Sequence, residues 1–149
     1  MYAAAQLNAY RTVRNSYLSG REIEAGALTR CALMLSDCQK NWDSPNREEE
    51  LAEALRTNQR VWSVLQSELV KDDNPLPIQI RKNILTLSVF IDNRIIQVMA
   101  HPEPEKLRII IDINLNIAAG LNTRPDKEEE SKIVPLPMAK KLAQMSIPA

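Results

Sequence analysis

Glycine is scarce in this chain, three of 149 residues, and aromatic side chains make up only 4%. Sandwiches and barrels need glycine in their turns and aromatic or β-branched residues on half-buried strands, so both shortages point away from an all-β fold. The 19 basic side chains are balanced by 19 acidic ones. That balance removes the whole-molecule positive field that sequence-independent nucleic-acid binding requires, although a local patch stays open. No uncharged run comes near the roughly 20 residues that cross a bilayer. Met1 to Tyr10 is alanine-rich and uncharged, without the basic start of a secretory signal. The expectation is one soluble, cytoplasmic domain.

Chemistry is equally thin. There is no glycine-rich phosphate loop, no Gly-x-Ser-x-Gly and no His-Glu-x-x-His. His101 is the only histidine and precedes Pro102, where a surface residue at a helix end is the ordinary reading. Cys31 and Cys38 with one distant histidine do not make a four-ligand zinc set. Seven residues apart in one helix, the two cysteines are separated by about 10.5 Å of rise, too far for a disulfide, and read as free buried thiols. Asp72-Asp73 and Glu103 with Glu105 flank proline turns, where solvated capping carboxylates are common. No enzyme, metal or cofactor is expected.

What the chain does have is proline, nine in all. Because proline is tolerated mainly in the first turn of a helix or outside helices, the proline-free blocks can each be tested for a 3.6-residue apolar period. Residues 2 to 18 carry Ala3, Leu7, Tyr10, Val13, Arg14 and Tyr17 or Leu18 at helical spacing. Ser19-Gly20-Arg21-Glu22 matches a capping box, predicting that a second helix starts there and runs to about Asn41. Ser44-Pro45 followed by Glu48, Glu49 and Glu50 predicts a third helix to about Lys71, with the stripe Leu51, Ala54, Leu55, Asn58, Val61 or Trp62, Leu65 and Leu69.

Asp72 to Pro77 reads as a stiff linker. From Pro77 a fourth helix carries Ile80, Ile84, Leu87, Ile91, Ile95 and Val98, with Leu85, Val89, Phe90, Ile96 and Met99 on other sides. Apolar character nearly encircles it, which predicts a central position; a strand at 84–91 is the competing reading. Leu107 to Leu121 forms a fifth stripe through Asn114, with Gly120 as its C-cap. The fold class is therefore all-α: a single-domain antiparallel bundle of about five helices over 1–121, followed by a tail, 122–149, expected to be mobile. Met138, Leu142 and Met145 sit at helical spacing in that tail and could dock on the chain's own groove or on a partner.

Amides on packed faces must meet a partner, since an orphan costs about 1–3 kcal/mol. For Asn114 a bond to a backbone or linker carbonyl is favoured. For Asn58 and Asn83 a contact in a partner groove is an equal alternative. Trp42 and Trp62 edge apolar stripes, and tryptophan serves both cores and binding hot spots. Arg81, Lys82 and Arg94 are the residues that would meet RNA phosphates, although few aromatics accompany them.

Several pieces in order resemble the FlaF family of flagellar biosynthesis regulators. They include Met1-Tyr2 with its alanines, Arg21-Glu22, Asn41-Trp42-Asp43, Leu55 through Asn58 to Trp62, and Asp73-Asn74-Pro75-Leu76-Pro77. Arg81 with Asn83-Ile84, Val89-Phe90, Pro102 to Leu107, Ile113-Asn114 and Ile117 to Leu121 follow. The resemblance implies a small helical protein needed for flagellin production and filament assembly. It would act beside a partner regulator of flagellin messenger RNA and engage flagellin itself, whose helical termini are aggregation-prone before export. The resulting expectation is a chaperone or adaptor with its partner site around Asn58, Trp62, Asn74, Pro75, Leu76, Pro77, Arg81, Asn83 and Phe90. The alternative is an RNA-directed regulator of flagellin expression, which the charge balance disfavours. Nothing in the resemblance extends to 122–149.

Overall fold

The computed structural model describes residues 2–123; within these the side chains of residue 2 and of 10–19 are not described. Four α-helices follow in order: α1 (Tyr2–Lys40), α2 (Arg47–Leu69), α3 (Ile78–Ala100) and α4 (Arg108–Asn122). A 3-10 turn, Pro104–Leu107, leads into α4. Among the described residues there is no strand, so the extended alternative at 84–91 gives way to the middle of α3. The all-α expectation holds.

The first two expected helices are one. α1 runs 39 residues without a break through Ser19-Gly20-Arg21-Glu22. A capping box requires its serine to leave helical geometry. Here the apolar spacing on either side of Gly20 stays in phase, and a helical glycine costs only about 1 kcal/mol. A methyl group at Gly20 would meet nothing within 4 Å, so no close approach demands glycine there. Smaller shifts occur elsewhere. α2 starts at Arg47, not Pro45, because Ser44 to Asn46 form a turn in which the Asn46 amide donates to Ser44 Oγ at 3.3 Å. Gly120 lies inside α4, not at its cap. The chain stops being helical at Thr123, whose amide and hydroxyl both donate to the Gly120 carbonyl.

α1 and α4 form the tightest pair. Ala25, Leu28, Ala32 and Leu35 of α1 are buried with Ile110, Ile113, Ile117 and Ala118 of α4 in one core, and the alanines let the two backbones approach closely. Their antiparallel register is fixed at both ends. Gln39 Nε2 donates to the Pro104 carbonyl at 2.9 Å, while Leu121 lies beside Gly20 and Arg21 in a shared cleft. α2 closes the core from the other side with Leu51, Ala54, Leu55, Trp62, Leu65 and Leu69, the stripe expected from its spacing. α3 adds Ile80, Ile84, Leu87, Phe90, Ile91, Ile95 and Val98. Burial of these aliphatic side chains, at about 1.5–3 kcal/mol each, is the main force holding the bundle.

Candidate protein-binding surface

The residues singled out from the sequence do not form one site. Trp62 and Asn58 are fully buried and belong to a hydrogen-bonded chain that joins α2 to α4. Trp62 Nε1 donates to Asn114 Oδ1 at 2.8 Å, Asn114 Nδ2 donates to Asn58 Oδ1 at 2.6 Å, and Asn58 Nδ2 donates to the Ala54 carbonyl at 2.8 Å. An indole can only donate and a carbonyl can only accept, so the order of the ends fixes how both amides are turned. Asn114 thus meets side chains and not the backbone carbonyl expected for it. Neither Trp62 nor Asn58 presents surface to a partner in this packing.

A second group sits at the α2–α3 linker. Asn74 Oδ1 accepts from the Leu76 amide at 3.0 Å, a side-chain turn that sets the bend before Pro77, and Asn74 Nδ2 donates to the Glu68 carbonyl at 2.9 Å. Arg81 reaches back to the Lys71 carbonyl at 3.1 Å. These contacts tie the linker to both helices it joins. Pro75 and Pro77 remain exposed, while Leu76 packs on the core. Together with Gly20, Leu69 and Leu121, the Asn74 to Leu76 segment lines a cleft of about 350 Å³. Glu24 and Glu68 also line it. Burial, followed by the Glu68 charge, raises the Glu24 carboxyl above its usual range, against the opposing pull of Arg21.

Asn83 and Phe90 stand apart from both groups. Asn83 is half-buried and accepts from Gln79 Nε2 at 3.5 Å, one turn away. Phe90 is buried, and the Arg94 guanidinium lies 5.5 Å from its ring centre. Trp42, half-buried, is covered in the same way by Arg47 at 4.7 Å. Burial pushes the Cys31 thiol up to about 11, and both cysteines are free and buried.

An uncovered apolar row lies elsewhere on α3. Ile78, Val89, Ile96 and Met99 are 62%, 59%, 61% and 63% exposed, with Leu85 half-buried among them. Residues 78, 85, 89 and 96 fall at intervals of about two turns or one, so they share one side of the helix, opposite the buried Ile80, Ile84, Ile91 and Ile95. The signal was present in the sequence as the apolar positions off the core stripe. A smaller furrow of about 220 Å³ between α1 and α2 is walled by Ile23, Ala27, Val61 and Val64, with Glu24 and Arg60 at its rim.

A family model described as flagellar protein FlaF matches residues 6–121. The chain belongs to the FlaF family. The match begins after the first turn of α1 and ends at Leu121, one residue before α4 does. No curated protein and no solved structure matches the chain. Membership makes this a flagellar protein, and among the described residues of this FlaF chain no helix is long and apolar enough to cross a membrane.

Proposed function

We propose that this FlaF protein is a non-enzymatic flagellin-binding chaperone or adaptor, and that the uncovered side of α3 receives an amphipathic helix of flagellin. Membership of a flagellar family supports the choice of partner. The observation that carries the reading is the row Ile78, Leu85, Val89 and Ile96, extended by Met99 at its end. An apolar row of this kind, here interrupted by Lys82, Asp92 and Asn93, is the surface that helix-in-groove recognition uses, with anchors at every third or fourth position of the incoming helix. Masking flagellin's apolar faces before assembly would serve its production and export.

The test is titration of purified flagellin with the wild-type chain and with Val89→Asp/Ile96→Asp. The expected outcome is a loss of affinity of tenfold or more, roughly 1.4 kcal/mol or above, with an unchanged melting temperature. Equal affinity of the two proteins refutes the α3 face. Salt separates this reading from RNA recognition through Arg81, Lys82 and Arg94: phosphate contacts weaken linearly with the logarithm of salt, and an apolar contact does not.

A further inference from the structure

The furrow between α1 and α2 is apolar from floor to wall. Leu28 and Leu65 form its buried floor, Ala27 and Val61 are half-buried above them, and Ile23 and Val64 stand at its edges, 69% and 60% exposed. Two charged residues complete the lining, Glu24 on α1 and Arg60 on α2. Arg60 is exposed and forms no ion pair among the described residues. Its guanidinium is left for a carboxylate from outside the chain.

The two charges sit at opposite corners of the furrow. α1 and α2 run antiparallel: residue 24 is level with 64 at this end, and residue 38 with 50 at the other, where Cys38 and Glu50 line a second cleft. Arg60 is therefore level with residue 28, one turn along from Glu24 and on the other helix. A two-fold axis through the middle of the furrow reverses the helices and exchanges them, so that α1 of one copy lies over α2 of the other. It carries Glu24 to the level of the second copy's Arg60. By the same operation Ile23 comes over Val61, and Val64 over Ala27.

We infer that two copies of this chain associate through the α1–α2 furrow as a two-fold dimer, a four-helix contact closed by a Glu24–Arg60 pair on each side of the axis. Charge placement selects a second copy as the occupant. Charges of one sign on both helices would repel across a two-fold; an acid and a base at diagonal corners each meet their opposite, while apolar walls meet apolar walls. Asp37, Glu49 and Glu50 of the second cleft lie about 15–20 Å along α1 from the axis and end at opposite extremes of the dimer, so they do not oppose one another. α3 meets the other edge of α2, where Leu51 and Leu55 line a cleft with Val98 and Met99. The dimer thus leaves the exposed α3 row uncovered and does not depend on flagellin. Its contact is small, so the association is weak.

Sedimentation of the full chain over roughly 1 to 500 μM, the range in which small interfaces associate, should show the mass rising from the monomer toward twice its value. Arg60→Glu alone and Glu24→Lys alone should each raise the dissociation constant about tenfold, because each sets like charges across the axis. An equimolar mixture of the two should associate as wild type does, since both cross pairs are then opposite in sign. Val64→Asp, at an exposed position, should abolish association with an unchanged melting temperature, and it carries the test by itself if Glu24→Lys disturbs folding. Val89→Asp/Ile96→Asp should associate like wild type. A chain that stays monomeric throughout overturns the inference. So does a dimer indifferent to Arg60→Glu and Val64→Asp, which would place the contact on another face, and so does a mixture of the two folded charge variants that remains monomeric.

Discussion

α3 and α4 are both rich in isoleucine and leucine, yet they spend that character differently. α4 buries eight of its 15 residues and leaves only Leu115 as a large exposed hydrophobe. α3 buries one side equally well and leaves Ile78, Val89, Ile96 and Met99 in solvent on the other. The difference comes from neighbours. α4 lies against α1 along its whole length and is joined to α2 through Asn114, whereas α3 is an outer helix with one covered side. Apolar content fixes how much burial a helix can contribute; only the arrangement of its neighbours says how much is left for another molecule.

Substitutions on the sealed side should be the most damaging. Trp62→Ala empties a fully buried site and should cost about 3–5 kcal/mol, read as a large fall in melting temperature. Flagellin affinity per folded molecule should not change, because Trp62 touches only the interior. A Trp62→Ala protein that melted like wild type would break the contrast between the two helices.

Next comes the amide chain. Asn114→Ala leaves the indole N–H and Asn58 Oδ1 without partners in the core, at about 1–3 kcal/mol each. The double variant Asn58→Leu/Asn114→Leu should lose less than the sum of the single changes, since it removes polar groups on both sides of one bond. Additive losses in denaturant unfolding would show that the two amides do not depend on each other.

A third effect is confined to high pH. Burial holds the Cys31 thiol at about 11 in the folded chain, against 9.0 for an ordinary thiol. The folded state therefore favours the protonated form. Its contribution is complete below pH 9.0 and is lost as pH rises through about 11. Wild type should lose melting temperature over that window more steeply than Cys31→Ala. Parallel curves would contradict the burial of Cys31.

These effects also mark what the sequence could and could not reveal. The α2 stripe from Leu51 to Leu69 was legible because a helix with one buried side repeats its pattern every 3.6 residues, whatever it packs against. The fusion of the first two helices was not, because Ser19 to Glu22 satisfies a local capping rule and only the unbroken seam beyond it decides otherwise. Asn58 and Trp62 were read as contacts for a partner. One helix's sequence cannot say that Asn114, 52 residues beyond Trp62, completes their bonds. Phe90, placed in the expected site, is buried, and its neighbour Val89 on a different side of α3 is the exposed one. The exposed face of α3 was visible as surplus apolar positions, but surplus does not tell a central helix from an outer one.

Gly20→Ala sharpens the point about α1. A glycine inside a helix gives up about 0.5–1 kcal/mol relative to alanine, and the added methyl meets nothing within 4 Å. If α1 is continuous, thermal stability should rise by that amount. A fall would restore the break at Ser19.

The smallest expected change in stability is the most informative about α3. Val89 and Ile96 contribute little to the core because more than half of each is already in water. Val89→Asp/Ile96→Asp should therefore shift unfolding by no more than about 0.5 kcal/mol, the usual range for surface changes. The equivalent pair on the sealed side, Ile113→Asp/Ile117→Asp, would place two carboxylates in a dry core and should prevent folding altogether. If the α3 variant unfolds as readily as the α4 one, the exposed row is a working part of the bundle and cannot also be the face that receives a partner. If the α3 variant stays folded and flagellin affinity drops, the uncovered side exists for recognition, since it contributes almost nothing to holding the chain together.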